Sequence, residues 1–172
     1  MALNTTPGDP AADSYPTLVE AKAYWDSIGR DYSGIADDEL EQALRRGTAW
    51  LDGTYGARFI GKASTFDQSL EWPRQDAVYR GEALPSDAIP RKVKNAASEA
   101  AWREATEPNS LAPDYVPAEG VKQEQVGPLS VTYKDGAGGV ADVLPVVTAV
   151  DGLLRGLVAS KASLNFATAA RG

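Results

Sequence analysis

Cysteine and histidine are both absent from the 172 residues of this chain. Without thiols there can be no disulfides, no thiolate nucleophile and no cysteine-held zinc. Without imidazole the side chain that most often moves protons near neutral pH is missing, and with it every Ser-His-Asp or Cys-His pairing. Carboxylates, lysines and hydroxyls remain for chemistry. No constellation of them stands out, so an enzyme working through carboxylates alone is the weakest reading, and no cofactor or metal is expected. Long apolar runs are lacking too: mean hydropathy is -0.31, and no stretch approaches the roughly 18 residues of a membrane span. Met1-Ala2-Leu3-Asn4-Thr5-Thr6 has neither the basic start nor the apolar block of a secretory signal. Synthesis and folding in a cytoplasm, with no membrane partner, are the expectation.

Positive charge is scarce. The formal net charge is -7 and the isoelectric point lies near 4.6. Acids crowd the first part of the chain, where Asp9, Asp13, Glu20, Asp26, Asp31, Asp37, Asp38, Glu39 and Glu41 face only Lys22 and Arg30. Bases gather later, at Arg91, Lys92 and Lys94, then thinly at Lys161 and Arg171. Phosphate neutralisation supplies most of the affinity of nucleic-acid binders, so this balance reads as a body that repels DNA and suits a conduit better than a clamp.

What is present is ordinary for one soluble globular domain, with 43% hydrophobic and 24% charged residues. Residues 1–13 read as a flexible lead-in. Thr17-Leu18-Val19-Glu20 is a capping box, followed by Leu18, Ala21, Trp25 and Ile28 at helical spacing and a stop at Gly29. A second helix opens at Ala36-Asp37-Asp38-Glu39, with acids at the positive end of the dipole. Its apolar face runs Leu40, Ala43, Leu44, Gly47, Leu51 and Tyr55, and Gly53 and Gly56 loosen and end it. From Ala57 to Ile89 a long ordered loop with short extended pieces is expected around Phe59-Ile60-Gly61, Gln68 to Arg74, and Val78-Tyr79-Arg80-Gly81. A third helix begins at Ile89-Pro90, carries Val93, Ala96, Ala97 and Ala100, and ends near Glu107-Pro108. A proline-punctuated linker covers 109–120, and 121–134 suggests a β-hairpin about Gly127-Pro128. The last helix, about Asp142 to Val158, carries Val143, Val146, Val147, Val150, Leu153, Leu154 and Leu157. The expected fold is mainly α: a four-helix domain over 14–158 with a β-hairpin and a long ordered loop, followed by an extended arm over 159–172.

Five features invite a functional reading. Gly136-Ala137-Gly138-Gly139 lacks the Lys-Ser/Thr ending of a P-loop and reads as a hinge. The acids Asp37, Asp38, Glu39 and Glu41 point in different directions on a helix and read as its solvated start. Trp25, Trp50, Trp72, Trp102 and the tyrosines could stack on bases. With few cations visible beside them, core or interface packing is the expected role. The segment 159–172 has bases and no acid, which suits an acidic groove on a partner. Trp72-Pro73-Arg74 joins an apolar anchor, a fixed φ and a planar donor fork, useful for pinning a long loop, with a carboxylate for Arg74 in the same subunit or in a neighbour's.

The ordered series Ala49-Trp50-Leu51-Asp52-Gly53-Thr54-Tyr55-Gly56, Arg58-Phe59-Ile60-Gly61 and Gln68 to Arg74 continues through Ile89-Pro90 with Val93, Ala96 and Glu99. It closes on Val126-Gly127-Pro128-Leu129-Ser130-Val131-Thr132-Tyr133. From about Asp13 to Val158 this series resembles the head–tail adaptor proteins of tailed bacteriophages. The resemblance implies a non-enzymatic neck subunit of the virion that closes with copies of itself into a ring, about twelvefold, through heterologous contacts. It implies that Trp50, Tyr55, Arg58, Phe59, Trp72, Pro73 and Arg74 serve structure or subunit interfaces. The arm, with Lys161, Leu164, Phe166 and Arg171, would dock on the portal ring, while another face meets the next neck or tail protein. DNA would pass through unbound during genome ejection. Related sequences often carry a DnaT-like single-stranded-DNA-binding label. The acidic balance argues against that activity and leaves it as the alternative.

Overall fold

The computed structural model describes residues 2–112, 123–126, 129–132 and 147–159. Helix α1 spans Leu18–Ser27 and opens on the expected capping box. The Glu20 N–H donates to Thr17 Oγ1 (3.1 Å), and the Thr17 N–H donates to Glu20 Oε2 (2.9 Å). Ala21 and Trp25 are its buried residues. Ile28 caps the end and Gly29 turns the chain away at a φ of 74°, a left-handed conformation that glycine adopts freely.

Helix α2, Asp37–Tyr55, buries Leu40, Ala43, Leu44, Gly47, Thr48, Leu51 and Tyr55 on one face. That face meets α3, Arg91–Thr106, whose Ala96, Ala97, Ala100 and Ala101 are fully buried. The alanines and Gly47 have one purpose. A Cβ added at Gly47 would stand 2.6 Å from the Ala101 backbone nitrogen and 3.0 Å from the Ala97 carbonyl oxygen. Small residues on both helices thus let two backbones touch. Helix α1 lies over this pair, its Trp25 indole N–H donating to the Ser98 carbonyl of α3 (3.0 Å).

Between α2 and α3 the extended pieces form two small antiparallel ladders after a 3-10 turn at Gly56–Arg58. Strand β1 (Lys62–Ala63) pairs with β2 (Arg74–Gln75), and β3 (Val78–Tyr79) with β4 (Glu82–Ala83). Arg80 and Gly81 join β3 to β4 with φ of 56° and 86°. Two left-handed residues in a two-residue loop match the twist of a hairpin. Strands β5 (Gln123–Val126) and β6 (Leu129–Thr132) pair antiparallel, Val126 opposite Leu129, as the sequence suggests.

The last helix is shorter than its apolar repeat. Helix α4 is Thr148–Leu154, and residues 142–146 lie outside the described residues. Arg155 leaves the helical region, Gly156 takes a φ of 86°, and Val158 pairs antiparallel with Phe59. The Ile60 N–H donates to the Leu157 carbonyl (3.0 Å) and the Ala159 N–H to the Arg58 carbonyl (2.8 Å). Val150, Leu154 and Leu157 are all buried, so a turn into a strand satisfies the same spacing that a longer helix would.

The first residues, expected as a lead-in, make contacts with the rest of the domain. Asn4 N–H donates to Asp13 Oδ1 (2.8 Å), and the Ser69 hydroxyl donates to the Ala12 carbonyl (2.6 Å). Leu3 packs on the apolar cluster of Ala21, Trp25, Leu40, Ala43, Leu44 and Ala101. A larger cluster, from Tyr15 through Leu51, Phe59, Trp72 and Val93 to Leu157, joins the loop, α2, α3 and α4. Among the described residues the fold is mainly α, with four helices and small antiparallel hairpins.

Candidate nucleic-acid interface

The loop motif is scaffold. Trp72 is 1% exposed and meets Phe59 edge-on at 5.7 Å between ring centres. The Trp72–Pro73 peptide is cis. Buried Arg74 donates to the carbonyls of Ile60 (3.0 Å), Gly61 (3.0 Å) and Glu71 (3.1 Å) and pairs with Glu71 Oε2 at 2.6 Å. Its carboxylate therefore belongs to its own chain. Asp52 accepts from the Tyr15 hydroxyl and from the Glu71 N–H (3.1 Å), while the Trp72 N–H donates to Tyr15 Oη (3.2 Å). Burial pushes the Asp52 carboxyl up to about 6 against the lowering effect of those two donors. Burial, then the Asp52 charge, holds the Tyr15 hydroxyl well above its ordinary value. Tyr55 donates to Asp151 Oδ1 (2.6 Å), with Trp50 edge-on to its ring and the Arg58 guanidinium 5.8 Å from the ring centre. Lys161, Leu164, Phe166 and Arg171 lie outside the described residues.

The described cations divide into two groups. Lys22, Arg30, Arg45, Arg46, Lys62, Arg74 and Lys94 are ion-paired. Among the described residues, Arg58, Arg80, Arg91, Lys92, Arg103 and Arg155 have no carboxylate at ion-pair distance; Arg58 and Arg103 donate instead to the Ala159 carbonyl (3.3 Å) and the Ser110 hydroxyl (3.3 Å), and the fold brings the other four to neighbouring places. The Lys92 ammonium lies 5.0 Å, and the Arg80 guanidinium 5.2 Å, from the centre of the Tyr79 ring. The edge of that ring packs on Gly156, where an added Cβ would stand 2.8 Å from Tyr79 Cε2; Arg155 is the next residue. The Lys92 ammonium first, then Arg80, draws the Tyr79 hydroxyl below its ordinary value. Glu82, directly across the β3–β4 ladder, is the acid paired in register with Tyr79.

Two features of this face run against stability. Arg80 sits at a left-handed φ that side chains other than Asn and Asp seldom adopt. Arg91, Lys92 and Lys94 occupy the first turn of α3, which holds no acid and no side-chain cap. Cations at the positive end of a helix dipole are unfavourable, each by about 0.3–1 kcal/mol. Together they create a local positive field next to an aromatic ring. Strain of this sort clusters where a chain binds something.

Beside this face lies a groove of about 400 Å³ between α1 and α3, lined by Pro16, Glu20, Ala23, Tyr24, Ile89, Arg91, Lys94, Asn95 and Ser98. Its Tyr24 wall is fixed by a hydroxyl donating to Glu99 Oε1 (3.1 Å), and Glu99 also pairs with Arg30 (3.1 Å). Burial, then the Glu99 charge, pushes the Tyr24 hydroxyl up to about 12. Lys94 bridges across to Glu20 at 2.6 Å.

Sequence reading noticed Val78-Tyr79-Arg80-Gly81 only as an extended piece and Arg91, Lys92 and Lys94 only as a weak basic cluster. The available signal was their position at a helix start, the wrong end for cations.

A family model described as "Putative DnaT-like ssDNA binding protein" matches residues 1–172, the whole chain. No curated protein and no solved structure gives a match. The family match overturns the head–tail adaptor reading. With it go the portal ring, the collar of neighbouring copies, the downstream neck or tail protein and the idea of DNA passing unbound. Net charge averages over the whole surface and does not register that, among the described residues, the cations around Tyr79 hold no carboxylate.

Proposed function

We propose that this chain, which belongs to the DnaT-like single-stranded-DNA-binding family, binds unpaired DNA on the face formed by Tyr79, Arg80, Arg91 and Lys92. It acts as a binding protein and not as an enzyme, in keeping with a sequence that has neither histidine nor cysteine. One observation carries the assignment: an aromatic ring with two cations at 5.0 and 5.2 Å and no carboxylate pairing them among the described residues. Single strands are held by base stacking on such rings and by cations that follow the backbone. The hairpin turn lifts Arg80 beside the ring, the start of α3 supplies Arg91 and Lys92, and Arg155 extends the positive strip past Gly156.

The test is fluorescence anisotropy with a labelled oligothymidylate of roughly 16 nucleotides, the upper end of the site sizes known for single-strand-binding domains, over a series of salt concentrations. Binding should weaken linearly on a log–log salt plot. Tyr79→Ala should weaken it about fivefold or more, since one stacked base is worth about 1–3 kcal/mol. No binding by the native chain at low salt, or equal binding by Tyr79→Ala and Lys92→Glu, rejects the proposal.

A further inference from the structure

We infer that the groove between α1 and α3 is a base pocket for the bound strand, and that Asn95 reads adenine in it. The inference rests on the DNA-binding reading above and names what that face selects. A space of about 400 Å³ falls within the range of small-molecule sites and is large enough for one purine nucleotide. Its walls are of the right kinds. Tyr24 offers a ring whose hydroxyl is already committed to Glu99 (3.1 Å), so the ring is held in place and stays neutral. Pro16, Ala23 and Ile89 supply apolar surface facing it. Ser98 is occupied, donating to the Lys94 carbonyl (2.9 Å). The Asn95 amide is different: half-buried and lining the groove, it has no hydrogen-bond partner among the described residues. A carboxamide presents one donor and one acceptor side by side, the pair that matches adenine N7 and N6.

The groove also adjoins the proposed strand path. Arg91 lines it, while the next residue, Lys92, reaches the Tyr79 ring. Adjacent helical residues point about 100° apart, so Arg91 and Lys92 can hold successive phosphates while one base stacks on Tyr79 and its neighbour enters the groove. The Lys94–Glu20 pair at 2.6 Å ties α3 to α1 along this groove. Its carboxylate is neutralised by that lysine, so it leaves the phosphate path to Arg91.

The full chain is titrated against labelled oligomers of equal length, all deoxyadenylate, all deoxythymidylate or abasic, using the native protein, Asn95→Ala and Ala23→Phe. The native chain should favour the adenine oligomer over the thymine one about fivefold or more, the lower end of what a bidentate amide–adenine contact gives. Asn95→Ala should erase that preference, bringing adenine binding down to the level of thymine binding. Ala23→Phe, which fills the groove from α1, should lower adenine binding and spare the abasic oligomer. Native binding without adenine preference, or a preference that survives Asn95→Ala, overturns the pocket while DNA binding stands. Failure of the native chain to bind any of the three overturns the DNA-binding reading itself. If Ala23→Phe does not fold, Asn95→Ala alone decides.

Discussion

Gly47→Ala should destabilise the protein, although alanine is the better helix former. The added methyl would lie 2.6 Å from the Ala101 nitrogen, 3.0 Å from Ala101 Cα and 3.0 Å from the Ala97 oxygen. All three are backbone atoms of α3, so no side chain can swing aside. Carbon contacts are comfortable at about 3.5–4.0 Å, so α2 and α3 must part by roughly 1 Å. That movement loosens Leu44 and Leu51 against the buried alanines. Overpacking of this kind costs about 1–3 kcal/mol, against a propensity gain of about 1 kcal/mol for replacing glycine. The matched control is Gly53→Ala in the same helix, where an added Cβ meets nothing within 4 Å; it should gain up to about 1 kcal/mol. Urea unfolding followed by tryptophan fluorescence reads both, because Trp25 and Trp72 are buried and report on the two clusters. Gly47→Ala with a midpoint at or above that of the native protein, or moving together with Gly53→Ala, would refute the close helix crossing.

Charge reversal at Arg91 and Lys92 together should lower the log–log salt slope of single-strand binding by about 1.4, at about 0.7 per lost phosphate contact; an unchanged slope would remove both from the interface. Asp52 bears on pH. Its carboxyl titrates near 6 when folded against the ordinary 3.8, so the folded state binds the extra proton between those values. Its favourable contribution is therefore complete below about 3.8 and is lost as pH rises through 6. Asp52→Asn should flatten the fall in melting temperature between pH 4 and 7 that this group causes in the native chain; parallel curves would show that the buried carboxyl is not the titrating group.

Helices α1, α2 and α3 were legible because local rules and tertiary packing agree there. The Thr17–Glu20 box, the Leu40–Leu51 stripe and Pro90 each announce what the structure uses. Helix α4 was overextended because hydrophobic spacing counts burial alone, and Leu157 is buried from a turn as well as it would be from a helix. The lead-in looked free because its anchors, Asp13, Ser69 and the Trp25 cluster, are distant in sequence or polar. The candidate interface was the least legible part. Tyr79, Arg80, Lys92 and Gly156 come from a hairpin, a helix start and a chain turn, and no linear pattern joins them. Arg80 in particular sits where Asn or Asp would be the expected residue for the turn.

Range decides how an acidic chain would hold DNA in the proposed way. At physiological salt, exposed charges separated by more than about 8 Å are largely screened, so a phosphate beside Tyr79 feels its immediate neighbours far more than the net -7. Those neighbours are Arg80 and Lys92, each close to the ring, and opposing them is Glu82 in register across the hairpin. Glu82 is exposed, and it is the acid in a position to weaken binding at this ring. Glu82→Gln should therefore tighten single-strand binding at low salt, with the gain shrinking as salt rises and the Debye length falls. Neutralising an acid remote from this face, such as Asp38 in the first turn of α2, should change affinity much less. If Asp38→Asn strengthened binding as much as Glu82→Gln, the whole-molecule charge would govern association, and the local field around Tyr79 would lose its role.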